Sequence, residues 1–149
     1  MTIKYGHTNI ITEDWKRLAG FYESVFGCIQ VPPQRDHKGP WLDKGTGVSN
    51  AHIEGVHLRL PGQEVNGATL EIYQYSETVA REKSLPNKLG YGHLAFQTDK
   101  LPELLELALK NGGSKIGELS EHYVEGAGLL KFLYISDPDG NIIEIQNWS

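Results

Sequence analysis

Two histidines and two glutamates recur at matching places along this chain of 149 residues. "YGHTNII" (5–11) carries His7 and "YGHLAFQTD" (91–99) carries His93, each after the same Tyr-Gly step. "ATLEIYQY" (68–75) carries Glu71 and "NIIEIQNW" (141–148) carries Glu144. All four stretches alternate as strands do, with apolar residues toward a core and the histidine or glutamate on the opposite side. Tyr5, His7 and Asn9 share one side; Glu71, Tyr73 and Tyr75 share another; Tyr91, His93, Ala95 and Gln97 a third; Ile142, Glu144, Gln146 and Trp148 a fourth. Imidazole and carboxylate together suit a divalent transition ion, and four such ligands leave two positions of a six-coordinate ion for two adjacent substrate oxygens.

The elements that must position these residues repeat as well. After each histidine strand comes an amphipathic helix: Trp15, Leu18, Tyr22 and Val25 in the first, and Leu101, Leu104, Leu105 and Ala108 in the second. Asp14 and Asp99 are the expected N-caps, and Gly112-Gly113 the expected stop of the second helix. A short strand follows each helix ("CIQVPP" and "SKIGEL"). Two longer strands then complete each half: 55–62 with 68–75, and 129–140 with 141–148, the latter joined by the turn signal Asp-Pro-Asp-Gly. The fold class read from this order is α+β, with two βαβββ modules. Two such sheets related by a pseudo-twofold could face each other and bring all four side chains together. Module 1 covers about 1–76, a polar linker about 77–89, and module 2 about 90–149, together one domain.

His7 and Glu71 are 64 positions apart, whereas His93 and Glu144 are 51 apart. The surplus falls in "PQRDHKGPWLDKGTGVSNAHIE" (33–54), read as a loop inserted beside the site. Its Arg35, His37, Lys38 and Lys44 read as a solvated basic loop, with reception of a charged substrate tail as the alternative. "EHYVEGAG" (121–128) reads as a lid hinged at Gly126 and Gly128, or as an ordinary connection.

Composition narrows the function classes. Lys and Arg number 14 against 19 Asp and Glu, a net charge of −5, which gives no pull toward nucleic acid or an anionic membrane. No apolar stretch approaches the roughly 20 residues that span a bilayer. The first residues lack an apolar signal core, so a cytoplasmic location is expected. The one cysteine, Cys28, rules out a disulfide within the chain and a cysteine-rich zinc site.

At this point the sequence resembles the vicinal oxygen chelate superfamily, the group of glyoxalase I, bleomycin-resistance proteins and extradiol dioxygenases. The matching stretches are "HTNIITEDWKRLAGFYESVFG", "ATLEIYQY", "YGHLAFQTD" and "DPDGNIIEI". The resemblance implies paired βαβββ modules forming a cupped mixed sheet around one divalent ion (nickel, cobalt, zinc, manganese or iron) and a homodimer. It places His7, Glu71, His93 and Glu144 at the four metal positions. Glyoxalase I enzymes match best. Extradiol dioxygenases carry no ligand where Glu71 stands. Acyl-CoA epimerases carry glutamine there and a catalytic glutamate on the preceding strand, where this chain has His57 and Arg59.

The chemistry expected is proton movement next to a carbonyl through a metal-chelated enediolate, with Glu144 or Glu71 as base. Arg59, His57, Tyr73 and Asn9 are the expected contacts of a small-molecule substrate. The alternatives are an epimerase of a 2-keto or acyl-CoA substrate, an extradiol-type dioxygenase, and an antibiotic-binding resistance protein.

Overall fold

The computed structural model describes all residues, Met1–Ser149. The chain divides into two compact units, Met1–Arg81 and Glu82–Ser149. Each is an α+β unit with one sheet of mixed strand direction.

In the first unit, β1 (His7–Ile11), β2 (Ile29–Lys38), β3 (His52–Arg59) and β4 (Thr69–Tyr75) form a sheet in the order β1-β4-β3-β2. β1 runs parallel to β4; the other neighbours are antiparallel. Helix α1 (Trp15–Phe26) packs on β3 and β4. Trp15, Leu18, Tyr22 and Val25 are all buried, as their helical spacing requires, and they meet the buried Val56, Leu58, Leu70 and Ile72 side of the sheet. Asp14 caps the helix by accepting from the Arg17 amide at 3.0 Å. Gly27 closes it in the left-handed conformation, at φ 69°.

The stretch 33–54 is not a loop. β2 continues through Pro32-Pro33, with a break in register between Val31 and Arg35, and runs on to Lys38. Helix α2 (Pro40–Thr46) follows, and β3 already begins at His52. Two forces fold the segment. Asp43 accepts from the Asn50 and Ala51 amides, each at 2.9 Å, which folds the chain back beyond the helix. Leu42, Ala51 and Ile53 then bury one another, with Tyr73 and Tyr75 packed against them. Ile53, Tyr73 and Tyr75 lie on the sheet side away from α1, so α2 covers part of the side that carries Glu71.

In the second unit, β5 (Leu94–Gln97), β6 (Ser114–Lys115), β7 (Ser120–Val124), β8 (Gly128–Ser136) and β9 (Ile142–Trp148) form a sheet in the order β5-β9-β8-β6, with β7 also paired to β8. Helix α3 (Leu101–Lys110) packs on β9 and buries Leu101 and Ala108. Asp99 is not its cap; Lys100 holds that position without a side-chain bond, and Pro102 sets the first turn instead. The first strand is shorter than 90–99 suggested, and Tyr91 lies outside it, fully exposed.

The Asp-Pro-Asp-Gly turn forms as read. Buried Asp137 accepts from the Asp139 and Asn141 amides, and Gly140 adopts φ 83°. The segment 121–128 is neither lid nor plain connection but a hairpin, with Val124 opposite Gly128. Gly128 is needed there, because a Cβ would stand 2.7 Å from the carbonyl oxygen of Ser149. No helix is long and apolar enough to cross a membrane.

Candidate active site

Strand register builds the site in each unit. In the first, Asn9, Glu71, His57 and Val31 stand in one row across β1, β4, β3 and β2. His7, Thr69, Arg59 and Ile29 form the next row on the same side. Glu71 sits at the centre and is buried, although its neighbours along the strand on that side are only half-buried. A buried carboxylate is costly unless its oxygens are satisfied. Both are.

His7 Nε2 lies 3.2 Å from Oε2, which also accepts from Asn9 Nδ2 at 3.2 Å. His57 Nε2 lies 2.8 Å from Oε1, which accepts from the Tyr73 hydroxyl at 3.2 Å. The second nitrogen of His57 meets Thr69 Oγ1 at 3.0 Å, which fixes the ring.

Burial holds the His57 imidazole below its usual range, and the charges of Arg35, His7 and His37 act in the same direction against the pull of Glu71. Burial and the Glu71 charge together push the Tyr73 phenol up to about 12, so it stays a hydrogen-bond donor toward the carboxylate.

In the second unit, His93 precedes β5 by one residue, and its Nε2 lies 2.9 Å from Glu144 Oε2. Ala95 and Tyr134 flank Glu144 in its row, in the places that Asn9 and His57 take around Glu71. The Tyr134 ring packs against the His93 ring at 4.9 Å between centroids. Gln146, two residues beyond Glu144, takes the place of Tyr73 and accepts from Trp148 Nε1 at 3.0 Å.

Each sequence-derived pair, His7 with Glu71 and His93 with Glu144, is therefore brought together within its own unit. Of the expected substrate contacts, His57, Tyr73 and Asn9 gather directly on Glu71, while Arg59 is one row away.

Two donors bound at right angles to one ion, each at roughly 2.0–2.1 Å, stand about 3 Å apart. The 3.2 Å and 2.9 Å separations in the two pairs are compatible with that spacing, as they are with a plain imidazole–carboxylate hydrogen bond. Within neither unit do three or more His, Cys, Asp or Glu side chains gather in a metal-holding arrangement.

Arg35 is the residue that sequence reasoning misplaced. Lys38 and Lys44 are exposed, as a solvated basic segment requires, but Arg35 is half-buried and lies against Tyr73 on the Glu71 side of the sheet. The alternation of β2 would have put it there, had the Pro32-Pro33 step not disguised the strand.

A family model described as the Glyoxalase/Bleomycin resistance protein/Dioxygenase superfamily matches residues 4–145. The chain belongs to this superfamily. No curated protein matches it. Among solved structures it is similar to a glyoxalase family protein from Bacillus cereus, at 18% identity and a TM-score of 0.84, covering 99% of this chain and 95% of that one. A superfamily enzyme from Burkholderia phytofirmans aligns at 17% identity and a TM-score of 0.61, over 99% and 100% of the two chains. A fosfomycin resistance protein from Listeria monocytogenes aligns at 16% identity and a TM-score of 0.61, over 100% and 96%. At such identities the likeness establishes the superfamily's fold and nothing narrower.

Proposed function

We propose that the protein is a divalent-metal-dependent lyase or isomerase of glyoxalase I type, which moves a proton at a carbon next to a carbonyl of a small molecule. The observation that carries this reading is the duplicate imidazole–carboxylate pair: His7 with Glu71 and His93 with Glu144, at equivalent places in two like units. In this reading these four residues would hold a nickel, cobalt, zinc, manganese or iron ion. When bound, the ion supplies Lewis-acid stabilisation of the negative charge that develops on two neighbouring substrate oxygens.

The proton itself is moved by the protein. Glu71 is committed to His7, Asn9, His57 and Tyr73, two partners on each oxygen, and acts as the fixed carboxylate. Glu144 has one ion-pair partner, His93, and is the base that takes the proton from carbon and returns it to the product. His57, Tyr73 and Asn9 hold Glu71 in place and line the ground on which substrate rests, with Arg59 at its margin. The proposal further takes the working form to be a cytoplasmic homodimer, which sedimentation of the purified protein tests directly.

The deciding experiment is elemental analysis of the purified protein, followed by proton NMR in deuterated water with hemithioacetal, acyl-CoA and 2-hydroxy-ketone panels. Exchange at a single carbon, abolished by a chelator and restored by one of the five metals, is expected. Exchange that a chelator leaves intact would refute the metal assignment. Oxygen consumption by iron-loaded protein, without exchange, would replace this reading with a ring-cleaving one.

A further inference from the structure

We propose that Arg35 recognises an oxyanion on the substrate, a carboxylate or a phosphate, on the Glu71 side of the first sheet. The inference rests on that side being the reaction site, and it names a chemical feature of the substrate that reading leaves open.

Strand β2 carries basic residues on both of its sides, but only Arg35 and His37 point to the side of Glu71. The register places Arg35 opposite Gly55, and Gly55 opposite Tyr73. Gly55 is the reason the row closes. A Cβ there would stand 2.6 Å from Tyr73 Cδ1 and 2.1 Å from the Ile72 carbonyl oxygen, so any other residue would expel the Tyr73 ring. With hydrogen in that place, the Tyr73 ring lies across β3. Its phenol oxygen donates to Glu71 on one side and accepts from the Arg35 guanidinium on the other.

A second donor of the Arg35 fork goes to the Pro33 carbonyl. No carboxylate pairs with Arg35, whereas His52 pairs with Asp36 and Lys131 with Glu121 elsewhere on the two sheets. An always-charged, planar fork, held by two neutral oxygens, half-buried and lacking a counterion, is suited to a bidentate oxyanion. It stands beside Glu71, separated from it by one phenol. An oxyanion held there leaves the rest of the substrate over Glu71.

The test uses the full-length protein, freed of metal with a chelator and labelled with nitrogen-15, titrated with inorganic phosphate and separately with acetate. Saturable shifts of the Gly55 and Tyr73 amide signals are expected. Affinity should fall at least tenfold in Arg35→Ala, by less in Arg35→Lys, and by under twofold in Lys16→Ala, an exposed cation on α1 across the sheet. Saturation by phosphate alone names a phosphate group, and saturation by acetate names a carboxylate; either supports the proposal.

Absence of saturable shifts with both anions would overturn it. So would wild-type affinity in Arg35→Ala, or an equal loss in Lys16→Ala. The dispersed spectrum of each variant reports that it has folded. Because the titration is run without metal, failure of metal binding would sink the proposed function and leave this result standing, while failure here leaves the metal reading intact.

Discussion

Glu71 and Glu144 hold the same place in two like units, yet their surroundings differ sharply. Around Glu71 stand two imidazoles, an amide and a phenol; in the equivalent row around Glu144 are Ala95 and Tyr134, with His93 its one ion-pair partner. Gly55 in the first unit becomes Phe132 in the second, and the tyrosine that crosses Gly55 becomes Gln146. The difference shows that like positions in a repeated scaffold can be partnered unequally. One copy surrounds its carboxylate with two partners on each oxygen, and the other gives its carboxylate one ion-pair partner, the asymmetry on which the proposed roles rest.

The largest effect that would break this comparison is on turnover. Glu144→Gln should lower the rate of carbon–deuterium exchange by roughly 10²–10⁴-fold, the range for a missing general base, while the purified variant retains its metal. Exchange that survives in Glu144→Gln and disappears in Glu71→Gln would reverse the two roles.

Next comes the glycine. Gly55→Ala places its Cβ against the Ile72 backbone, which cannot yield as a flexible side chain would, and should cost on the order of 3 kcal/mol in urea unfolding. The corresponding Phe132→Ala removes a half-buried ring and should cost less. Equal costs would mean that the two rows are not differently built.

A smaller effect is expected when the second unit is given the first unit's partner. Tyr134→His would place a second imidazole opposite Glu144 and slow exchange by about tenfold, the worth of one added hydrogen bond to a charged group. Unchanged exchange would show that crowding by partners is not what separates the two carboxylates.

The smallest effect is one of pH. With its phenol raised to about 12, Tyr73 stays protonated while ordinary tyrosines ionise near 10. The folded state therefore binds that proton more tightly than the unfolded one. The contribution is complete below pH 10 and is lost as pH rises toward 12. Ultraviolet difference titration should show a late step that Tyr73→Phe removes; persistence of the step would assign it to another tyrosine.

Much of this arrangement was legible in the sequence, and particular residues show why. Strict alternation put His7, Glu71, His93 and Glu144 away from the helices, because a strand has only two sides and Leu70, Ile72, Ile143 and Ile145 claim one of them. The 3.6-residue period of α1 identified Trp15, Leu18, Tyr22 and Val25 on its buried side, to which the fold adds Ala19, Phe21 and Phe26. Asp-Pro-Asp-Gly announced its own turn. The failures have a common cause. In 33–54 the helix-forming signal is a lone Leu42 after Gly-Pro, and its burial depends on Ala51 and Ile53, which lie beyond a turn held by Asp43. At 121–128 the glycines suggested hinges, but Gly128 is set by the backbone of Ser149, a neighbour that only the folded chain supplies.

By itself, then, the amino-acid order determined which side of each strand every candidate occupies, where the turns fall, and that one imidazole and one carboxylate are repeated in each half. Tertiary structure decided which residues meet: that His57, Tyr73 and Asn9 converge on Glu71, that Arg35 turns in rather than out, and that α2 covers part of the Glu71 side. The physical reason is that alternation is local, while the row in which a side chain stands depends on register between strands far apart in the chain.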